Sequence, residues 1–287
     1  MKIFIDCLPC MLKQVLEASR MATDDIIIQE QIINEAVKIL SDYKEYGCSP
    51  ELALAMHNTV KKHTNNSDPY DLIKSRDIKA AKKIYPFLKS FLQNKNDSLN
   101  WALKIAATGN VIDSAIYNNI DVEKSTELEL EKEFAICDIE SFNQELKQAE
   151  TILIIGDNSG ETVFDKVLIE NLKQYNINII YAVRNNPIIN DATVKEAYES
   201  GLDCCTSIIS TGCDAPGAVL EYCSNDFLDL FNNSDLVISK GQGNYEALSD
   251  CGRNTFFLLK AKCPMVSRRL GVNLNEYVFK QNKQERS

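Results

Sequence analysis

The sequence predicts an α/β protein in which a helical N-terminal domain packs on a C-terminal three-layer α/β/α domain with a mostly parallel sheet. Three observations carry this. Apolar residues recur at helical spacing through about the first 120 positions, the chain turns acidic and loses that periodicity between about 118 and 150, and from Thr151 short β-branched runs alternate with helix-length segments. The last pattern is that of βαβ units, whose parallel strands are covered by helices on both faces in a Rossmann-like arrangement.

The helices follow in order. Leu8, Met11, Leu12, Val15 and Leu16 form one apolar stripe, and Ile32, Ile33, Ala36, Val37 and Leu40 the next. Ser49-Pro50 reads as a helix start, with Leu52, Ala55, Met56 and Val60 as its buried face. Asp68-Pro69 opens a longer helix through Leu92, and another runs from about Ser98 to Ala107 before Gly109-Asn110. Residues 121–150 read as a connector with a helix, 151–280 as the α/β domain, and 281–287 as a polar tail that frays. Within 151–280 the expected strands are Thr151–Ile155, Ile177–Val183, Thr206–Ser210, Asp235–Ser239 and Thr255–Leu259.

The 287 residues are 45% hydrophobic and 25% charged, an ordinary globular balance. Lys and Arg number 31 against 41 Asp and Glu, a net charge of -10. Clustered positive charge is what nucleic acids and anionic membranes reward, so neither is expected as the main partner. Asp6 interrupts the apolar run that a secretory signal needs, and no segment reaches the roughly 18 to 20 apolar residues of a membrane span. The expectation is a cytoplasmic protein whose ten cysteines are reduced, with Cys137 and Cys223 acting as small hydrophobes.

In an open α/β sheet, ligands bind beyond the carboxyl ends of the strands, so the residues that follow each expected strand are the informative ones. They are Gly156-Asp157-Asn158-Ser159-Gly160-Glu161, Arg184-Asn185-Asn186-Pro187 with Asn190-Asp191, Ser210-Thr211-Gly212-Cys213-Asp214, Lys240-Gly241-Gln242-Gly243-Asn244, and Lys260-Ala261-Lys262. Hard divalent cations take oxygen ligands from carboxylates and amide carbonyls and keep several waters. Asp157, Asn158 and Asp191 fit that need. The alternative is that Asp157 or Ser159 only caps the following helix, which explains one polar residue but not the Asp-Asn pair with Glu161. Ser210-Thr211-Gly212 and Gly241 to Asn244 could present backbone N–H groups to a phosphate, while Lys240 and Lys262 could offset phosphoryl charge beside the ion.

Cys7-Leu8-Pro9-Cys10 is a CxxC at a helix start, a spacing that serves redox exchange, half of a thiolate metal site, or a pair of buried thiols. His57 and His63 belong to no catalytic pattern and are expected to be surface or hydrogen-bonded helix residues.

GDNSGETVFD at Gly156 to Asp165 resembles the metal-dependent damage-control phosphatases. The resemblance covers nearly the whole chain through DCLPC at Asp6, DPY at Asp68, GNVID at Gly109, NDAT at Asn190, STGCDAPG at Ser210, SKGQGNYE at Ser239 and LLKAKCP at Leu258. The CxxC and KGQGN types are similar to the archaeal and bacterial subfamily. The resemblance implies Asp157, Asn158 and Asp191 as ligands of Mn²⁺, Mg²⁺, Ni²⁺ or Co²⁺, with Glu161 beside them and Lys262 on the substrate side. A related branch has arginine and threonine where Leu259 and Lys260 stand here. Ser210, Asp214, Lys240, Asn244, Asn110 and Asp113 are the further substrate-side candidates.

The expected reaction is hydrolysis of phosphate monoesters of small metabolites, sugar phosphates or nucleotides. Water is preferred over the Asp157 carboxylate as the attacking group. Two rivals stand beside it: a carboxyl methyltransferase using S-adenosylmethionine, for which the GxGxxG fingerprint is missing, and a noncatalytic metal or redox protein working through Cys7 and Cys10.

Overall fold

The structure is a computed structural model that describes residues 1–109 and 121–282. Asn110 and Asp113 lie outside the described residues. Helices α1 (Cys7–Ala22), α2 (Ile26–Ser41) and α3 (Ser49–Thr64) pack around a core of their own that includes Val15, Ile32, Leu52 and Met56. Helices α4 (Asp71–Gln93) and α5 (Ser98–Thr108) do something different: Ile84, Leu88, Leu103 and Ala106 share one continuous core with the sheet. Half of the helical stretch is therefore a layer of the α/β body.

The remaining elements are α6 (Val122–Leu130), β1 (Phe134–Cys137), α7 (Ile139–Leu146), β2 (Thr151–Ile155), α8 (Thr162–Leu172), β3 (Asn178–Val183), α9 (Val194–Glu199), β4 (Ser207–Ser210), α10 (Asn225–Asn233), β5 (Leu236–Lys240), α11 (Gln242–Leu248), β6 (Thr255–Lys260), α12 (Pro264–Leu270) and β7 (Tyr277–Asn282). The sheet has seven strands in the order β1-β7-β6-β5-β2-β3-β4. Every pairing is parallel except β6 with β7. Side chains alternate across it with the strand period of two: Ile152 and Ile154 face the layer of α4, α5 and α8, while Leu153 and Ile155 face α10, α11 and α12. Both faces are buried, which is why β2 reads as an unbroken apolar run. Cutting Ile154 back to Ala would cost about 2–5 kcal/mol.

Two expectations are corrected here. The segment read as a connector contributes the edge strand β1, whose four residues are too few and too alternately buried to stand out in the sequence. The tail read as frayed begins inside β7: Gln281 is buried, donates its backbone N–H to Asp138, and accepts from the Ser141 hydroxyl at 2.6 Å. The strand opens with the buried Tyr277, Val278 and Phe279, and only its second half, Lys280, Gln281 and Asn282, reads as a polar tail; that half is fixed by pairing with β6.

The ten cysteines are free, but Cys137 is exposed rather than part of a core. His63 meets Glu35 at 2.7 Å, whereas His57 is buried and its Nε2 has no hydrogen-bond partner among the described residues. Among the described residues no helix is long and apolar enough to cross a membrane.

Candidate metal centre

The strand order reverses at β2. From it β3 and β4 run outward on one side and β5, β6 and β7 on the other, so the loops after β2 and β5 part at a topological switch point, the usual place for a ligand crevice. A cavity of about 280 Å³ opens there. Its floor is formed by Asp157, Asn158 and the 189–191 segment, and its wall by Pro216, Gln242 and Gly243. The first turns of α1 and α3 close it, bringing Cys7 and Cys10 to its rim.

The loops after β2 and β3 are joined by their backbones. Ala192 donates its N–H to the Asp157 carbonyl at 2.8 Å, Ser159 donates to the Asn190 carbonyl at 2.9 Å, and Asn158 pairs with Asp191 in an isolated antiparallel bridge. Asp157, Asn158 and Asp191 are thus brought to one floor. Asn158 Nδ2 donates to Asp157 Oδ2 at 3.2 Å and to Glu161 Oε1 at 2.7 Å, which fixes the rotation of its amide. Glu161 is buried within the short turn that starts α8.

Two close approaches shape the floor. Gly156 leaves β2 beneath Tyr181, where a Cβ would lie 2.5 Å from the tyrosine oxygen, and the space lets that hydroxyl donate to Asp165 at 2.6 Å. Gly241 takes a φ of +80° after β5, a conformation that suits glycine, and its bare Cα rests against the Asp157 carboxylate.

Four carboxylates, those of Asp157, Glu161, Asp165 and Asp191, are packed here against two cations. Lys240 donates to Asp165 at 2.6 Å and to Glu161 at 3.1 Å, and Arg184 donates from Nε to Asp191 at 2.7 Å while its Nη2 stands 3.9 Å from Asp157 Oδ1. The buried carboxylates thus outnumber the cations that engage them directly. Burial pushes the Asp157 carboxyl well above its usual range, with the charges of Glu161 and Asp191 adding to the effect. Burial also raises Asp191, and Arg184 offsets it only in part. The donor set is oxygen-only and its acids outnumber their cations, so the residues fit a hard divalent ion.

The other expected residues are placed unevenly. Lys240, expected on the substrate side, is 1% exposed and lies under the floor, engaged by Glu161 and Asp165, because a lysine ending a central strand has acids from α8 above it. Asn244 is fully buried and ties loops together: its Nδ2 donates to the carbonyls of Gly156 and Lys240, and its Oδ1 accepts from the Ala218 N–H. Asp214 accepts from the amides of Asn185 and Asn186, and Ser210 donates to Asn185, so neither lines the cavity. Lys262 is exposed, and its charge acts on Asp157.

Sequence reasoning gave no role to Arg184 or Asp165. Arg184 stood in view at the end of β3, and Asp165 sits one helical turn beyond Glu161 on the same face of α8. A second acidic group, Asp68, Asp71 and Glu196, offers oxygens within 4.8 Å of one another. Its place for a cation is taken by Lys74, which reaches Asp68 at 2.5 Å and Glu196 at 2.9 Å, while Lys195 holds Asp71.

The fold and floor together define an α/β protein with an acid-rich crevice at the switch point of a mostly parallel sheet. A family model of the damage-control phosphatase ARMT1-like domain matches residues 3–278, and the chain belongs to that family. It is 37% identical over 289 residues to a damage-control phosphatase of Pyrococcus horikoshii, covering 99% of each chain. It is 29% identical over 287 residues to a damage-control phosphatase of Archaeoglobus fulgidus, covering 98% of this chain and 99% of that one. The crystal structure of a duf89 family protein from Pyrococcus horikoshii superposes with a TM-score of 0.91 at 35% identity, over 99% of this chain and 100% of that one.

Proposed function

We propose that this chain is a divalent-metal-dependent phosphatase that hydrolyses phosphate monoesters of small metabolites, sugar phosphates or nucleotides, with Asp157, Asn158 and Asp191 as the ligand set. The observation that carries this reading is the group of buried carboxylates at the floor of the switch-point cavity, more numerous than the cations that engage them, in a family of phosphatases. A phosphate ester cannot approach such a floor alone, since like charges in a poorly hydrated site repel strongly. When bound, a divalent cation reverses the local field and stabilises charge on phosphoryl oxygens as a Lewis acid.

The chain's own residues then have separable tasks. Asn158, held by Glu161, keeps the amide side chain of the ligand set in one orientation. Lys240 neutralises Glu161 and Asp165 from below, so that their charges are not left bare. Lys262, exposed and acting through its charge on Asp157, is the cation assigned to the reacting phosphate. The first turns of α1 and α3 wall the cavity, whose volume of about 280 Å³ suits a small metabolite better than a macromolecule.

The test is turnover of a generic phosphate monoester by the purified chain with Mn²⁺, Mg²⁺, Ni²⁺ or Co²⁺, and with chelator. Turnover should require the ion and should vanish in Asp157→Ala and Asp191→Ala variants that remain folded. Full turnover in chelator, or in either variant, would overturn the proposal.

A further inference from the structure

Arg184 is among the largest fully buried side chains of the described residues, at 1% exposure, and it stands behind the cavity floor. Its Nε is committed to Asp191 Oδ2 at 2.7 Å. Its Nη2 is 3.9 Å from Asp157 Oδ1, and neither Nη1 nor Nη2 has a hydrogen-bond partner among the described residues. A buried guanidinium with two unsatisfied nitrogens is unusual, because such donors are costly to strip of water. It is explained if the charge is needed where it stands.

We infer that Arg184 is a positioning residue for the cation floor: its Nε holds the Asp191 carboxylate in one orientation, and its guanidinium stands 3.9 Å from Asp157, so that the candidate ligands are set before an ion binds. Binding Asp191 through Oδ2 also leaves that carboxylate turned by a fixed partner, which is how groups behind a ligand tune a metal site.

Geometry and charge give opposite signs on removal of Arg184, which makes the inference decidable. If the guanidinium were only a nearby positive charge, Arg184→Gln would tighten cation binding. If it positions the carboxylates, Arg184→Gln should weaken binding by about 10–100-fold. Arg184→Lys keeps the charge but offers one compact ammonium in place of a planar fork, and should also bind at least about tenfold more weakly.

The experiment is calorimetric titration of the wild type, R184Q and R184K with Mn²⁺, alongside circular dichroism of the metal-free proteins. The expected result is Mn²⁺ binding by the wild type and weaker binding in both variants. Should R184Q not fold, R184K carries the same comparison. Equal or tighter binding in the variants would overturn the inference. It rests on the cation-site reading above, and a wild type that binds no Mn²⁺ sinks both, whereas a wild type that binds Mn²⁺ with unaffected variants sinks the role of Arg184 alone.

Discussion

Asp157 and Gly241, from loops that leave the sheet in opposite directions, are in direct contact: a Cβ on Gly241 would fall 2.0 Å from Asp157 Oδ2. The first ligand candidate therefore keeps its place through an atom that residue 241 lacks.

Gly241→Ala is expected to displace the Asp157 carboxylate and to strain a backbone at φ +80° and ψ 167°, a region almost reserved for glycine that costs other residues about 1–3 kcal/mol. Cation-dependent turnover should fall at least tenfold while the fold persists. Steady-state kinetics with a phosphate ester, together with a urea titration, checks both parts.

Lys240→Met should be one of the more damaging single changes in the chain. It leaves Glu161 and Asp165 buried without their cation, and breaking a buried pair from one side typically costs about 3–5 kcal/mol. The companion change Asp165→Asn should restore part of that loss, because the two side chains are 2.6 Å apart and act as one unit. Urea unfolding of both single variants and the double variant gives the coupling.

His57 predicts an acid sensitivity with a definite sign. Burial, with a smaller contribution from Lys61, lowers its pKa to about 4 from the ordinary 6.5, so the folded protein keeps it neutral. Its contribution is complete above about pH 6.5 and is lost as pH falls towards 4, because only the unfolded chain takes up the proton there. The loss should reach about 2 kcal/mol at pH 5, and His57→Leu should remove it. Unfolding free energies of the two proteins at pH 7.5 and pH 5 give the comparison.

A divalent cation should raise the melting temperature of the wild type, by the equivalent of about 2.7 kcal/mol at a hundred times its dissociation constant. The gain should shrink at acid pH. Burial raises the Asp157 and Asp191 carboxyls, and a protonated carboxyl must give up its proton before it can serve as a ligand. Thermal scans with and without Mn²⁺ at pH 7.5 and pH 5.5 test this.

What could be read in the sequence follows physical lines. β2 was legible to the residue because both of its faces are buried, and α1 to α3 because each presents one apolar stripe. β1 was not, since a four-residue edge strand takes its place from a partner far away in the chain, and neither was the polar second half of β7, which is fixed by pairing with β6. Asp157, Asn158 and Asp191 stood out because polar residues after strands mark the ligand end of such a sheet. Arg184 was given no role and Lys240 was read on the substrate side, because whether a cation faces substrate or lies beneath its acids depends on which side of the floor the helix α8 falls.

The most direct measurement is anomalous diffraction from crystals grown with Mn²⁺. If the switch-point floor holds the ion, a single strong peak will lie about 2.0–2.6 Å from oxygens of Asp157, Asn158 and Asp191. A peak at Asp68, Asp71 and Glu196 instead, or none on the protein at all, would contradict it.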